Sequence, residues 1–313
     1  MRGVGIVIVN YRTPGLVVDC LASLAADRRT GDDWRVVVVD SASGDGSVEQ
    51  LRGAIEGSGW VELLPLAVNR GFAAGNNAAL HRLFALPTPP EYYLLLNPDT
   101  VVRPGAVRNL ADFLDRHPRV GLAGSRLENP DGSPQRSVFR FPGLLSELEG
   151  GLRLGLATRL LAGFVLHQPV PDRPGPADWL SGASLMVRRA VFEAVGLLDE
   201  GYFLYFEEVD FCRRARRAGW PCWSVPASRV VHLAGGSTGF QIAEQAVKRV
   251  PPYWFASRRR YFHKHLGPAV AFLADIIWAT AFAGWRLRRR LQGKPDRDPP
   301  HYLGDFVRYF FLP

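Results

Sequence analysis

Three apolar runs in the first hundred residues each stop at a polar side chain, and this alternation constrains the fold more than any other feature of the chain. Val4–Val9 is continuous and β-branched, as expected of a strand covered on both faces, and it leads into Asn10-Tyr11. Arg35–Val39 ends at Asp40, and Tyr92–Leu96 ends at Asn97. Helical patterns lie between them. Pro14–Ala26 carries apolar residues at Leu16, Val17, Cys20, Leu21 and Leu24, with Pro14 suited to a first helical turn. Ser47–Ile55, Phe72–Leu86 and Ala106–Arg116 read as further helices, and Val61–Pro65 and Val120–Ala123 as further strands. The βαβα order predicts an α/β fold with a Rossmann-like, mostly parallel central sheet. Such sheets bind ligands beyond the carboxyl ends of their strands, which places Asn10-Tyr11, Asp40 and Asn97-Pro98-Asp99 on one rim.

The pattern changes after about residue 125. Arg126–Asp178 is rich in Gly and Pro, and Leu144–Leu166 predicts a mobile helical segment or lid. Trp179–Val187 returns to strand character and a helix follows from Arg189 to about Val195. Tyr205–Ala218 predicts a helix with acids in its first turn and arginines near its end, an order the helix dipole favours. Cys222–Val225 and Arg229–His232 read as closing strands.

Several rim segments have residues suited to chemistry, and each also has a plainer reading. In Asn97-Pro98-Asp99-Thr100, an Asp at a strand exit beside another oxygen donor can hold Mg²⁺ or Mn²⁺ together with phosphate oxygens; all four are also ordinary turn residues. Asp40, followed by Ser-Ala-Ser-Gly-Asp-Gly, can accept from a base or a ribose hydroxyl, or the stretch is a loop with a helix cap. In Asn69-Arg70-Gly71, Arg70 can contact a nucleotide, and Asn76 and Asn77 can bind neighbouring loops or cap the helix entry. Glu207, Glu208 and Asp210 crowd three carboxylates at a helix start, which suits a general base, although the dipole alone would draw acids there. His232 ends an apolar strand before Gly235-Gly236-Ser237, and is either structural or a metal ligand completing a site begun by Asp99. Neither a G-x-G-x-x-G after the first strand nor a GxxxxGK[ST] is present, which disfavours dinucleotide and P-loop readings.

Taken together and in order, VIVNYR (Val7–Arg12), VVVDSASGDGS (Val37–Ser47), NRGFAAGNN (Asn69–Asn77), YLLLNPDT (Tyr93–Thr100), the DGS turn (Asp131–Ser133), WLSGASLMVRR (Trp179–Arg189), GLLDEGYFLYFEEVDFCRR (Gly196–Arg214) and VVHLAGGST (Val230–Thr238) resemble the inverting family 2 glycosyltransferases of GT-A fold, in their rhamnosyltransferase-like sub-group. The resemblance covers about residues 3–240. It implies a hexosyltransferase that moves a sugar, L-rhamnose from dTDP-rhamnose, to a glycan or polyprenyl-linked acceptor, with UDP-sugars as alternative donors. By the resemblance, Asp99 and Asn97 belong to the metal and donor motif, with Asn in place of the first acid, and His232 matches a metal position of some relatives. Val9, Asn10, Tyr11 and Asp40 fall to the donor base and ribose, as do Asn69, Arg70 and Gly71 to the donor side. Glu208 is the expected general base, with Glu207 and Asp210 as alternatives, and Trp179 and Gly182 line the acceptor site. The cofactor is a divalent cation, Mg²⁺ or Mn²⁺.

The tail carries the charge. The chain has a formal net charge of +8, and residues 249–313 hold 12 basic residues against four acids, so they account for all of the excess. A neutral body argues against a nucleic-acid face. The apolar stretch Leu266–Trp285 is long enough to span a bilayer, but Asp275 sits in its middle and both flanks are basic. These features predict a helix lying in or re-entering an anionic leaflet, with a buried helix packed on protein as the plain alternative. The expected organisation is a catalytic domain over 1–240, with a donor half at about 1–125 and an acceptor half at about 126–240, and a helical C-terminal region over 241–313. The apolar run at the N-terminus is too short for a signal peptide, and the three cysteines suit reduced thiols, so the expected location is peripheral, at the cytoplasmic membrane face, with an oligomer compatible. Two rival readings are a sugar-nucleotide nucleotidyltransferase, which should show an activating Lys near the first strand where this chain has none, and an inactive membrane- or nucleic-acid-binding scaffold.

Overall fold

The computed structural model describes residues 3–233, 248–296 and 298–312. The Gly235-Gly236-Ser237 turn and the proposed boundary at residue 240 lie outside the described residues. In chain order the elements are β1 (Val4–Asn10), α1 (Pro14–Asp27), β2 (Trp34–Asp40), α2 (Ser47–Ile55), β3 (Val61–Pro65), α3 (Phe72–Phe84), β4 (Tyr92–Leu96), β5 (Thr100–Val102), α4 (Ala106–Arg116), β6 (Leu122–Glu128), β7 (Val138–Phe139), α5 (Leu144–Leu152), α6 (Gly155–Leu160), β8 (Gly175–Ala177), β9 (Trp179–Leu180), β10 (Ser184–Arg188), α7 (Arg189–Val195), α8 (Glu207–Arg217), β11 (Cys222–His232), α9 (Pro252–Leu266), α10 (Pro268–Leu291) and α11 (Tyr302–Phe311).

The main sheet runs β3-β2-β1-β4-β10-β6-β11-β5, with β8 also paired to β11. The first four strands are parallel, in a register that sets Asn10 beside Asp40 and Ile8 beside Leu96. Their carboxyl ends therefore form one rim. β10 enters antiparallel between β4 and β6, and β6 pairs β11 in parallel. Alternate residues of the strands supply two cores. Ile6, Ile8, Val36, Val38, Leu94 and Leu96 face α1, α2 and α4. Val7, Val9, Val37, Val39, Tyr93 and Leu95 face α3, α7 and α8. Burial on both faces is why these strands read as unbroken apolar runs.

Three elements differ from the sequence expectation. Trp179–Val187 splits into β9, which pairs β7 outside the main sheet, and β10 within it. The two closing strands are one, β11, whose register shifts between Val225 and Arg229. Leu144–Leu166 forms α5, α6 and a short 3-10 turn, with α5 lying along α10. Gly151 permits that approach, since a Cβ there would sit 2.8 Å from that of Ala281.

α10 packs in part against α5, α9 and α11. Asp275 pairs with Arg258 of α9, which also reaches Glu147 of α5 at 2.7 Å, and all three side chains are buried. Burial raises the Asp275 carboxyl, and Arg258 works against that rise. Breaking such a buried set by removing one partner costs about 3–5 kcal/mol. Trp278 and Phe282 pack with Phe255, Phe306 and Phe310 in an aromatic core of the tail. The helix is long and apolar enough to cross a membrane, yet a third of its apolar window is buried within the protein. Phe272, Leu273, Ile276, Leu287 and Leu291 remain exposed along it.

Candidate active site

The strand ends open on a cleft of about 570 Å³. Val9, Tyr11 and Ser41 line it from β1 and β2, Asn97, Pro98 and Asp99 from the exit of β4, and Asn69 and Gly71 from the entry to α3. Ser181, Gly182, Glu207, Glu208 and His232 supply the opposite side, and Phe203, Tyr205 and Tyr253 a third wall.

Asp99 and His232 meet because β5 and the end of β11 are paired, with His232 opposite Thr100. The Leu233 N–H donates to the Asp99 carbonyl at 2.8 Å, which fixes the two backbones. Asp99 is 1% exposed, and its Oδ1 lies 3.5 Å from His232 Nε2. Gln135 orients the His232 ring toward Asp99. Its Nε2 donates to Asn129 Oδ1 at 2.7 Å and to the His232 carbonyl at 2.6 Å, so its Oε1 is the atom 3.2 Å from His232 Nδ1. An amide oxygen only accepts, so Nδ1–H donates to it and Nε2 is the ring nitrogen turned to the carboxylate. A carboxylate oxygen and an imidazole nitrogen this close are groups that a divalent cation would take as ligands. Among the described residues no third His, Cys, Asp or Glu joins them. That suits an ion which takes one or two protein ligands and fills its remaining positions with phosphate oxygens. The residues present therefore fit the cation that the sequence led us to expect.

Glu207 and Glu208 open α8 after an unusual turn. Tyr205 and Phe206 have φ of 69° and 68°, in the left-handed region that costs non-glycine residues energy. The turn is held from two sides. Phe72 N–H donates to the Phe203 carbonyl at 2.7 Å, and Ser257 of α9 donates to the Leu204 carbonyl at 2.9 Å. Gly71, with φ of 94°, leaves room for this contact: a Cβ there would collide with the Phe203 backbone. The turn directs both carboxylates inward, where Oε2 of each is buried without a hydrogen-bond partner. Burial raises the Glu208 carboxyl to about 7. Burial and then the neighbouring Glu208 charge push Glu207 well above its ordinary range.

Other expected site residues take different positions. Asp210 is fully buried and faces the tail: it accepts from His265, Lys264 and Arg214, each at 2.7 Å. Burial opposes its charge, but these hydrogen bonds outweigh it and hold the carboxyl far below its ordinary range. Asp40 turns inward as well, accepting from Asn10 at 2.7 Å and from the Ser43 hydroxyl at 2.6 Å, so both Asn10 and Asp40 brace the loop that presents Ser41. Arg70 pairs with Glu200 at 2.9 Å on the surface. Trp179 stacks on Phe139 at 4.1 Å and donates to the Arg140 carbonyl, outside the cleft lining. Gly182 does line it, and a Cβ there would touch that of Glu208 at 3.6 Å. Sequence reasoning missed Gln135, Ser41 and the aromatic wall. Phe203 and Tyr205 lie inside a recognised motif, whereas Tyr253, from a helix beyond it, carried no local signal.

The family model described as Glycosyl transferase family 2 matches residues 5–169. The chain belongs to glycosyltransferase family 2. It is similar to the N-acetylglucosaminyl-diphospho-decaprenol L-rhamnosyltransferase of Mycobacterium tuberculosis, 32% identical over 286 residues, 86% of this chain and 83% of that one. It is also similar to the rhamnosyltransferase WbbL of Escherichia coli, 28% identical over 52% of this chain and 61% of that one. Among solved structures, a mannosyltransferase of Pyrobaculum calidifontis in complex with GDP-mannose and Mn²⁺ superposes with a TM-score of 0.57, at 17% identity over 94% of this chain and 76% of that one. GalNAc-T7 with UDP, GalNAc and Mn²⁺ gives 0.64, at 14% identity over 99% of this chain and 57% of that one. These structures share the fold. The chain is thus a glycosyltransferase on a GT-A scaffold with a C-terminal helical region.

Proposed function

We propose that this glycosyltransferase moves L-rhamnose from dTDP-rhamnose to a hydroxyl of an amino sugar carried on a polyprenyl diphosphate. The similarity to the mycobacterial rhamnosyltransferase over most of both chains carries this reading. The donor lies along the strand ends, its base and ribose over Val9–Tyr11 and Ser41 and its diphosphate toward Asp99 and Asn97. Asp99 and His232 would hold a divalent cation, which when bound neutralises charge on the leaving diphosphate. The acceptor enters from the Gly182 and Tyr253 side. Glu208 accepts the acceptor hydroxyl's proton as its oxygen attacks the anomeric carbon. In the same displacement the bond to the diphosphate oxygen breaks, so the configuration inverts without an enzyme nucleophile. Glu208 acts as a base only when ionised, so its raised pKa sets the lower limit of the working pH. Glu207, deeper and harder to ionise, keeps the region short of negative charge.

We place the enzyme at a membrane because the acceptor is lipid-linked. The exposed apolar residues of α10 and the arginines at its end suit an anionic surface. Residues 1–240 would form the catalytic domain in donor and acceptor halves, with 241–313 completing the acceptor side.

The test is thermal shift of the full chain with dTDP, UDP and GDP, each with and without Mn²⁺, followed by transfer from dTDP-rhamnose to a synthetic N-acetylglucosaminyl-diphospholipid. Mn²⁺-dependent stabilisation by dTDP above UDP, with product formed, is expected. Preference for UDP discards rhamnose and keeps the transferase.

A further inference from the structure

The start of α9 contributes to two hollows. Tyr253 lines the catalytic cleft, 5.5 Å from the Phe203 ring and 6.1 Å from that of Tyr205. Its sequence neighbours Val250, Pro251, Pro252 and Phe255 line a second cavity of about 610 Å³. Tyr309 and Leu312, at the end of α11, form its far wall. Phe255 is 3% exposed and stacks on Tyr309 at 5.7 Å, so the floor is fixed, whereas Leu312 is 60% exposed and marks the open side. The mouth carries Arg249, Asp305 and Arg308. Arg249 is held by Asp305 at 2.7 Å, which leaves the charge of Arg308 in excess.

An apolar trough of this size with a cationic mouth is a ligand site in shape and chemistry. A nucleotide has no use for its walls, and a free sugar would leave them wet. A branched hydrocarbon joined to a diphosphate satisfies both parts: the chain covers Val250, Phe255, Tyr309 and Leu312, and the anion meets the guanidinium at the mouth. The position agrees in that Pro252 of this groove and Tyr253 of the catalytic cleft are consecutive residues.

We propose that this groove binds the first isoprene units of a polyprenyl diphosphate acceptor, with the diphosphate at Arg308 and the sugar against Tyr253. The identity of the occupant rests on the lipid-linked acceptor reading above. The groove makes the C-terminal region part of the acceptor site and would let the enzyme distinguish a lipid-linked sugar from a free one.

The probe is farnesyl diphosphate, titrated into the full chain with saturating dTDP and Mn²⁺ so that the donor cleft is filled. Saturable binding is expected, with inorganic diphosphate and farnesol each binding more weakly. Leu312→Asp should weaken farnesyl diphosphate by about tenfold or more, since a charge replaces several buried methylene contacts. Arg308→Glu should weaken farnesyl diphosphate and spare farnesol. Neither side chain is buried, and an unchanged dTDP shift shows that each variant is folded. Equal binding of farnesyl and inorganic diphosphate, or wild-type affinity in Leu312→Asp, overturns the groove. Transfer to N-acetylglucosaminyl-diphospholipids separates the two readings. Turnover that ignores lipid length and the Leu312 substitution keeps the function and discards the groove. Specific farnesyl diphosphate binding without turnover of any such acceptor discards the function and leaves an isoprenoid site.

Discussion

Replacing Glu208 by Gln should remove transfer and at the same time change how stability depends on pH. The carboxyl is raised by burial from an ordinary value of 4.5 to about 7. A folded-state pKa above the unfolded one means that the folded protein holds the proton more tightly. Stability is then greatest below the unfolded value and falls as pH rises through the folded one. Over that interval the loss is about 3 kcal/mol at 1.36 kcal/mol per pH unit, and about 1–2 kcal/mol once water in the open cleft is allowed for. Gln keeps the shape without the titration. Denaturant melts of wild type and Glu208→Gln at pH 5 and pH 8 isolate the effect, because any fixed cost of the amide cancels between the two. The variant should gain about 1–2 kcal/mol on the wild type from pH 5 to pH 8. In parallel, wild-type kcat/KM should rise about tenfold per pH unit up to about pH 7 and then level, and the variant should fall by about 10²–10⁴-fold. An identical stability difference at both pH values would show that Glu208 titrates normally and refute the assignment of a buried, poised base.

Three further outcomes follow from the geometry. Asp99→Ala should abolish the Mn²⁺-dependent part of the dTDP thermal shift while leaving any metal-independent part, as read by parallel titrations with and without the ion. Gly71→Ala should destabilise the fold by about 2–4 kcal/mol, because a Cβ meets the Phe203 backbone and φ is positive; equilibrium unfolding checks it, and a neutral effect would mean the turn is not held there. Asp275→Ala should cost about 3 kcal/mol by leaving Arg258 half-paired in the interior, whereas a helix held mainly by lipid would show no such loss in detergent-free buffer.

The motifs that were legible are those carried by local chemistry. A buried strand must stop before water, so Asn97-Pro98-Asp99 and His232 marked their own exits. The crowded acids of α8 marked its first turn. Which way a side chain turns at such an exit was not legible. Asp40 and Asp99 end similar strands, yet Asn10 and Ser43 draw the first inward, and only the second meets an imidazole. Gln135, which sets that imidazole, lies 97 residues from it in sequence. Hydropathy likewise cannot separate lipid from aromatic protein as the solvent of α10. Asp275 is satisfied by Arg258, 17 residues earlier, and through it by Glu147 in the middle of the chain. Trp179 falls to the acceptor site by family resemblance alone; its ring stacks on Phe139 and it is not among the residues lining the cleft.

The three hydrogen bonds that neutralise Asp210 bear on how this enzyme can be shortened. Two of the three donors, Lys264 and His265, belong to α9. A chain cut at residue 240 would keep Asn97, Asp99, Glu207, Glu208 and His232, and so would look complete by its motifs. It would also leave a charged Asp210 in the core two positions from Glu208, with Arg214 as its remaining cation, and would lose Tyr253 from the cleft. Trimming the basic tail for easier handling therefore removes both the α9 partners of Asp210 and one wall of the cleft.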